Sequence, residues 1–275
     1  ANDVFGDPDD GISLKLRMLL DQVRDIDFQK EEIRKAYQLA MLKAMKQESI
    51  SNENITPDTI GIFIAFLSDK FFPNGDKLTI FDPLAGTGNL LITVANNIKA
   101  EAIPVGVESN YDLYRSCRAL LDMSEYADEI YYQDTLSFTG ISAGIMVTDF
   151  PTDNSGSKDY FPYRVLTHHR QNLSDGGLVF AVVTDDFFSV SETRNFKAEI
   201  LEHYHAIGLI RLPRDIFLSQ GKNILILKKK AEGGNLFDKF LIVDIPSFED
   251  REEMQKIILK INHWFDDIES RKGRV

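Results

Sequence analysis

Cysteine is almost missing from this chain of 275 residues, which contains only Cys117. A lone cysteine excludes a disulfide framework within the chain and a zinc site built from several cysteines. The residues around His168–His169 and His203–His205 do not have the spacing of a metal site either, so we expect no bound metal. The scarcity of cysteine fits a reducing compartment such as the cytoplasm.

Long apolar runs are missing too. The longest covers residues 60–67, which is far too short to cross a membrane. Residues 1–7 are acidic, whereas a secretory signal peptide begins with basic and then apolar residues. We therefore expect a soluble cytoplasmic protein that binds no membrane.

Positive charge is scarce as well, because the formal net charge is −12. Neutralisation of phosphates supplies much of the affinity of nucleic-acid-binding proteins, so the overall charge disfavours such binding. Between residues 205 and 230, however, six basic residues stand against one acid, Asp215. The basic residues are Arg211, Arg214, Lys222, Lys228, Lys229 and Lys230. They are either solvated strand ends or a basic rim beside a binding site.

The clearest motif that is present covers residues 78–91, LTIFDPLAGTGNLL. Residues of strand character run into Asp82-Pro83, a loop with Gly86 and Gly88 follows, and apolar residues then recur at helical spacing. Strand, glycine turn and helix in this order are typical of a nucleotide-binding α/β unit. Glycines can take positive φ and let a ligand approach the backbone, and the helix start offers it N–H groups.

Strand and helix patterns alternate from residue 78 onward, which predicts a Rossmann-like α/β fold. The predicted strands are 78–81, 103–107, 129–132, 144–148, 178–184, 206–212 and 223–228, with an extra strand at 240–245. Alternation of this kind predicts a seven-stranded, mostly parallel sheet with helices on both faces. We divide the chain into an N-terminal helical extension, 1–50, and a main domain, 51–275.

The N-terminal extension contains two amphipathic helical patterns within residues 12–47. One apolar face is formed by Ile12, Leu16, Leu19, Leu20 and Val23, and the other by Ile33, Tyr37, Ala40, Met41 and Ala44. Such faces pack on the main domain or on a partner, and a homodimer through these helices is one such arrangement. Further along, Thr56-Pro57-Asp58 predicts a helix start with Thr56 as the N-cap.

Four successive predicted strands end in an acidic residue, namely Asp82, Glu108, Asp134 and Asp149. Ligands of parallel sheets bind beyond the carboxyl ends of the strands, so these acids are expected at a binding site. Glu108 lies twenty residues after Gly88, where a carboxylate can accept both hydroxyls of a ribose. This spacing fits a nicotinamide dehydrogenase and a methyltransferase. The dehydrogenase fingerprint, however, has a third small residue where this chain has Leu91.

Together these motifs resemble those of the S-adenosylmethionine-dependent adenine-N6 DNA methyltransferases, over about residues 50–230. The resemblance is greatest to the small bacterial YtxK-like group of adenine-specific methylases and extends to the catalytic part of type I modification subunits. It implies the class I methyltransferase fold, S-adenosylmethionine as the cofactor and DNA as the partner. The cofactor-binding residues that it implies are Thr56, Pro57, Asp82, Pro83, Ala85, Gly86, Gly88, Asn89, Glu108, Ser109 and Asp134.

In that family Thr56-Pro57 and residues 82–89 would hold the methionine part, Glu108 the ribose and Asp134 the adenine amino group. Two of these residues have simpler alternatives, because Thr56 can be a helix cap alone and Asp134 a loop-capping acid alone.

The family's catalytic motif is Asn or Asp, Pro, Pro, then Tyr or Phe, and the resemblance makes Asp149, Phe150 and Pro151 the catalytic residues. An oxygen side chain and a backbone carbonyl accept the two N–H hydrogens of the adenine amine, and the aromatic residue stacks on the flipped base. Here Phe150 replaces the first proline and Thr152 replaces the aromatic residue. A ring from residues 160–163, Tyr-Phe-Pro-Tyr, is a candidate substitute.

After residue 230 the chain has only about 45 residues, too few for a domain that reads DNA sequence. DNA specificity would therefore need another subunit, or the substrate is a different one. Three functions remain open: a methyltransferase acting on adenine in nucleic acid, a cofactor-binding regulatory module with an altered catalytic loop, and a nicotinamide-dependent oxidoreductase.

Overall fold

The computed structural model describes residues 9–48, 55–73, 75–151, 160–189, 193–217, 220–231 and 239–272. The strands in these ranges are β1 Leu78–Asp82, β2 Ala102–Glu108, β3 Ile130–Tyr132, β4 Ala143–Asp149, β5 Leu173–Thr184, β6 Tyr204–Arg211, β7 Lys222–Lys229 and β8 Leu241–Asp244. The α-helices are α1 Asp10–Val23, α2 Lys30–Gln47, α3 Asp58–Phe71, α4 Asn89–Asn97, α5 Tyr111–Met123, α6 Phe161–His168, α7 Thr193–His203 and α8 Arg251–Lys272. No described helix is long and apolar enough to cross a membrane.

All the strands belong to one sheet with the order β3-β2-β1-β4-β5-β7-β6-β8. Every pair of neighbours is parallel except those of β7, which runs antiparallel to both β5 and β6. The predicted α/β fold with a mostly parallel sheet is confirmed. The predicted count of seven strands was wrong, because β8 pairs with β6, from Gly208 opposite Leu241 onward, and makes eight.

Because β7 runs in the reverse direction, the basic residues of the segment 205–230 lie at both ends of the strands instead of at one end. Lys222 begins β7 beside Thr184 at the carboxyl end of β5, whereas Lys228 and Lys229 lie at the opposite edge. The segment therefore forms no single basic rim.

Helices cover both faces of the sheet and create two apolar cores. Residues of α3, α4, α5 and α8 pack on one face, and residues of α6 and α7 pack on the other. Neighbouring residues of β1 show the alternation, because Ile80 belongs to the first core and Phe81 to the second. This two-sided burial fixes the register of β1, and with it the position of the turn that follows.

The two N-terminal helices differ in how they meet this body. Helix α1 buries none of its residues, so its predicted apolar face does not pack on the main domain. Helix α2 packs against α4 and α5, and the side chains that it buries most are Arg34 and Met45. Of the predicted α2 face, Ile33, Tyr37 and Met41 are half-buried, whereas Ala40 and Ala44 are exposed. The division at residue 50 and the homodimer stay predictions.

Candidate active site

The turn between β1 and α4 depends on two glycines with positive φ. Gly86 has φ 54°, and Gly88, the residue before α4, has φ 81° and ψ 2°. This left-handed backbone is unfavourable for any residue with a Cβ atom. The Ala85 N–H donates to the Val107 carbonyl at 2.9 Å, which fixes the turn against β2. The sequence prediction of strand, glycine turn and helix is thus what the structure contains.

A pocket at the carboxyl ends of β1 and β4 brings together many of the predicted residues. Its walls include Thr56, Asp82, Ala85, Gly86, Asn89 and Asp149. Glu108 adjoins the same turn, because its carboxylate accepts hydrogen bonds from the Gly86 N–H at 2.9 Å and from the Asn110 N–H at 2.7 Å. The glycine turn and three of the four strand-end acids therefore share one region.

The fourth acid, Asp134, does not line this pocket. It is exposed beyond β3, and its carboxylate accepts from the Leu136 N–H at 2.8 Å, as a loop-capping acid does. Ser109 is exposed as well, whereas Pro83 is buried and Pro57 half-buried at the start of α3. The adenine-binding role of Asp134 stays a prediction.

Asp149, at the end of β4, has a partner on each carboxylate oxygen. Lys222 Nζ lies 2.6 Å from Oδ1, and the Thr56 hydroxyl donates to Oδ2 at 2.8 Å. The side chains of Asp149 and Lys222 are only 11% and 10% exposed, so this ion pair is buried. A buried carboxylate with a cation and a hydroxyl as partners is held in one orientation.

Thr56 was predicted to be the N-cap of α3, and this prediction was wrong. The N-cap is Pro57, which provides no side-chain hydrogen bond to the helix. The Thr56 hydroxyl is used by Asp149 instead. Tertiary contact thus outweighs the local capping preference of threonine.

Phe150 and Pro151 take different positions after Asp149. The Phe150 ring is 1% exposed within the second core, so only its backbone can reach the pocket, and its carbonyl lies 3.4 Å from Lys222 Nζ. Pro151 is exposed, and Thr152 lies outside the described residues. Of the candidate rings in residues 160–163, Tyr163 packs against Phe187 in the same core.

Burial has the largest effect on the pKa values of Asp82 and Asp149. It raises the pKa of Asp82 to about 8, and the neighbouring carboxylates of Asp149 and Glu108 push that pKa in the same direction. Burial also raises the pKa of Asp149, while Lys222 and Thr56 oppose the rise. Asp149 and Glu108 beside Asp82 thus make this turn more favourable for a cationic ligand than for an anionic one.

Two residues that contact the candidate site could not be predicted from the sequence. Lys222 was only one member of a basic segment, and nothing in the sequence paired it with Asp149, 73 residues earlier. Arg34 of α2 is fully buried, and its guanidinium donates to the Asn89 side chain at 2.7 Å. No sequence signal marks Arg34, because a charged residue in an amphipathic helix is usually solvated.

The chain is similar to known proteins along most of its length. The family described as the YtxK N-terminal helical domain matches residues 9–45. Uncharacterized protein YtxK from Bacillus subtilis (strain 168) is 30% identical over 276 residues, which cover 94% of this chain and 84% of that protein.

Solved structures show the same fold. A Listeria monocytogenes protein, provisionally assigned as a class I S-adenosylmethionine-dependent methyltransferase, is 27% identical with a TM-score of 0.82, over 92% of this chain and 84% of its own. A type I restriction–modification methyltransferase subunit from Streptococcus thermophilus is 16% identical with a TM-score of 0.64, over 84% of this chain and 56% of its own. The fold is therefore the class I methyltransferase fold.

Proposed function

This chain belongs to the YtxK family and has the class I methyltransferase fold. We propose that it is an S-adenosylmethionine-dependent methyltransferase that acts on an exocyclic amine, with adenine N6 in nucleic acid as the substrate. The observation that carries the proposal is the position of Asp149. Its carboxylate lies in the same pocket as the glycine turn, and Lys222 and Thr56 orient it.

The residues of the pocket fit this cofactor by charge, and the backbone at Gly86 leaves room for a ligand. S-adenosylmethionine carries a sulfonium and an ammonium against one carboxylate, and Asp82, Glu108 and Asp149 favour a net cation. A Cβ atom added to Gly86 would meet only the Leu84 carbonyl, at 4.0 Å, so the backbone is open to a ligand there. NAD is disfavoured, because its pyrophosphate would face the same carboxylates.

When bound, S-adenosylmethionine supplies an electrophilic methyl group. The amine that attacks it is a poor nucleophile, because its lone pair is delocalised into the purine ring. Asp149 accepts N–H hydrogen bonds from this amine with the lone pairs that Lys222 and Thr56 leave unused, since a carboxylate offers about four acceptor positions. This contact keeps the amine in the attacking geometry.

Lys222 and Thr56 determine the ionisation and the orientation of the Asp149 carboxylate before the substrate binds. Lys222 favours the ionised carboxylate despite burial, and the Thr56 hydroxyl fixes its plane. Pro151 restricts the backbone of Phe150, the residue before it. The Phe150 carbonyl therefore keeps a fixed direction as a second acceptor.

The proposed nucleic-acid substrate has to be reconciled with the negative charge of the chain. Two basic residues, one at the end of β6 and one just after it, already pair with acids: Arg211 with Asp244, and Arg214 with Asp185 at 2.9 Å. They offer little unneutralised charge to phosphates. We therefore propose that a second, basic subunit brings the nucleic acid to the site.

A second candidate function is a cofactor-binding module without turnover. Both carboxylate oxygens of Asp149 already have partners, and Thr152 stands where the family has a stacking ring. Such a protein would bind S-adenosylmethionine and report its concentration to a partner.

A two-stage experiment separates these functions. Calorimetry is expected to show saturable binding of S-adenosylmethionine and none of NAD. Transfer of labelled methyl groups to genomic DNA and to RNA is then measured for the wild type and Asp149→Ala, and the variant is expected to lose about 100-fold or more. Absence of cofactor binding would contradict both functions. Binding without any labelled nucleic acid would contradict the proposed substrate and leave the binding module.

Binding of the cofactor is also expected to release protons at pH 7. Asp82, with a pKa of about 8, is mostly protonated in the free protein, and a cationic ligand beside it lowers that pKa. Calorimetry in buffers of different ionisation enthalpy should give up to about one proton released per site. Asp82→Asn, which cannot ionise, should remove most of the buffer dependence. A wild-type enthalpy that does not change between buffers would contradict this protonation state.

A further inference from the structure

Arg34 is the largest side chain that the described part of the protein buries completely. It belongs to α2, within the N-terminal residues that match the helical family. A buried guanidinium is unfavourable unless charged and polar partners surround it. Its partners therefore show what its burial achieves.

Two acids neutralise Arg34, and a third partner lies in the candidate site. Asp58, at the start of α3, accepts from Nη2 at 2.8 Å and from Nη1 at 3.1 Å. Glu31, one turn earlier in α2, accepts from Nε at 2.8 Å and from Nη2 at 2.7 Å. Nη1 also donates to Asn89 Oδ1 at 2.7 Å, the shortest contact that Nη1 makes. Arg34 thus joins α2 to the first residue of α4.

Asn89 continues this path to the residue that carries the proposed chemistry. Its amide nitrogen donates to the Thr56 carbonyl at 2.8 Å, and the Thr56 hydroxyl donates to Asp149 Oδ2 at 2.8 Å. Asn89 is 5% exposed, so an acceptor oxygen without Arg34 would be buried and unsatisfied. The orientation of the Asn89 amide is therefore set from α2.

We propose that Arg34 is a positioning residue of the cofactor site, so that the N-terminal helical region completes this site. The inference rests on the proposed function. Arg34 acts through Asn89: it fixes the amide that follows the Gly86–Gly88 turn and, through Thr56, the plane of the Asp149 carboxylate. Cofactor affinity consequently depends on α2, although α2 contributes no residue to the pocket wall.

Substitutions within α2 test this role against a purely structural one. Arg34→Met removes every contact of the guanidinium. Arg34→Lys keeps the charge that Asp58 and Glu31 need but loses the planar fork. Tyr37→Phe is the matched control, because the Tyr37 hydroxyl donates to the Ser116 carbonyl at 2.8 Å and so joins α2 to α5 without touching Asn89.

Calorimetry gives the dissociation constant of S-adenosylmethionine for each folded variant. We expect an increase of about 30-fold for Arg34→Met and about 10-fold for Arg34→Lys, as small displacements in a site produce. Tyr37→Phe should stay within about threefold of the wild type, whatever it does to the melting temperature. If Arg34→Met does not fold, Arg34→Lys decides the question.

A double-mutant cycle with Asn89→Ala identifies the route. If Arg34 acts through Asn89, adding Arg34→Lys to Asn89→Ala should change the dissociation constant by less than about threefold. Equal affinities for wild type, Arg34→Lys and Tyr37→Phe would overturn the inference, as would additive losses in the cycle. A wild type that does not bind the cofactor would instead overturn the proposed function.

Discussion

Lys222→Met is expected to reduce methyl transfer at pH 7 by about 100-fold or more, the usual contribution of a positioned acid or base. Asp149 must be ionised to accept both an N–H of the substrate and the Thr56 hydroxyl. Burial raises the pKa of Asp149, and the positive charge of Lys222 is the largest influence that lowers this pKa again. Without Lys222 that pKa rises further, so the acid side of the pH–rate profile should move to higher pH, with activity partly regained in alkaline buffer.

The same substitution should destabilise the fold, and a second substitution separates the two effects. Loss of one partner from a buried ion pair costs about 3–5 kcal/mol of the free energy of unfolding. Asp149→Leu together with Lys222→Met removes both charges, so most of this stability should return in urea denaturation. Methyl transfer should not return, because leucine offers no oxygen to accept an N–H of the amine.

Lys229→Met is the matched control for Lys222→Met. Lys229 lies on the same strand at the opposite edge of the sheet, where its ammonium donates to the Leu173 carbonyl at 2.7 Å and lies 3.4 Å from Asp175. This variant should keep the wild-type pH profile. A Lys222→Met enzyme with an unshifted pH profile would contradict the assigned role of Lys222.

How much of this site can be predicted from the sequence depends on how far apart along the chain the interacting residues lie. The glycine turn could be predicted because Asp82, Gly86 and Gly88 lie within one short segment with a single local structure. Asp149 could be predicted because strand ends meet at one edge of a parallel sheet. Lys222 could not, since its place at that edge requires β7 to run antiparallel, and the apolar pattern of a buried strand carries no direction.

Thr56 and Asp134 show that a local pattern can predict an element correctly without predicting the partner of its polar side chain. Thr56-Pro57-Asp58 has the composition of a helix start, and α3 does start there, but the hydroxyl bonds to Asp149 across 93 residues instead of capping. Asp134 lies shortly after the end of β3, and its carboxylate caps the next turn. Local preference predicted each element, whereas the partner of each polar side chain was decided by tertiary packing.

The fold itself was more predictable than the polar contacts, and its one numerical error has a physical cause. The segment at 240–245 has strand character, but an added edge strand cannot be told from an isolated one by composition. The hydrogen bonds between β8 and β6 make this segment an eighth strand of the sheet, and the pairing ends with Arg211 opposite Asp244. For α1, the residues of the predicted apolar face are exposed, and a homodimer that would cover them stays a prediction.

Gly88→Ala is expected to have the largest effect on stability of any single-methyl change in the turn. Gly88 has φ 81°, a backbone conformation that costs a residue with Cβ about 1–2 kcal/mol. The added Cβ would also lie 2.7 Å from the buried Cys117 Sγ, and overpacking of this kind costs about 1–3 kcal/mol more. Urea denaturation without cofactor should therefore show a loss of about 2–5 kcal/mol in the free energy of unfolding.

Gly86→Ala separates the backbone cost of positive φ from the cost of overpacking, because only the backbone cost applies to it. Gly86 also has positive φ, but its added Cβ would meet nothing nearer than the Leu84 carbonyl at 4.0 Å. Its stability loss should stay near the backbone cost alone, while the methyl group enters the pocket and weakens cofactor binding. Cys117→Ala should in turn rescue part of the Gly88→Ala loss, since it removes the sulfur that the new Cβ strikes. Equal stability losses for Gly86→Ala and Gly88→Ala, without any rescue, would show that the close approach of α4 to α5 does not require a glycine.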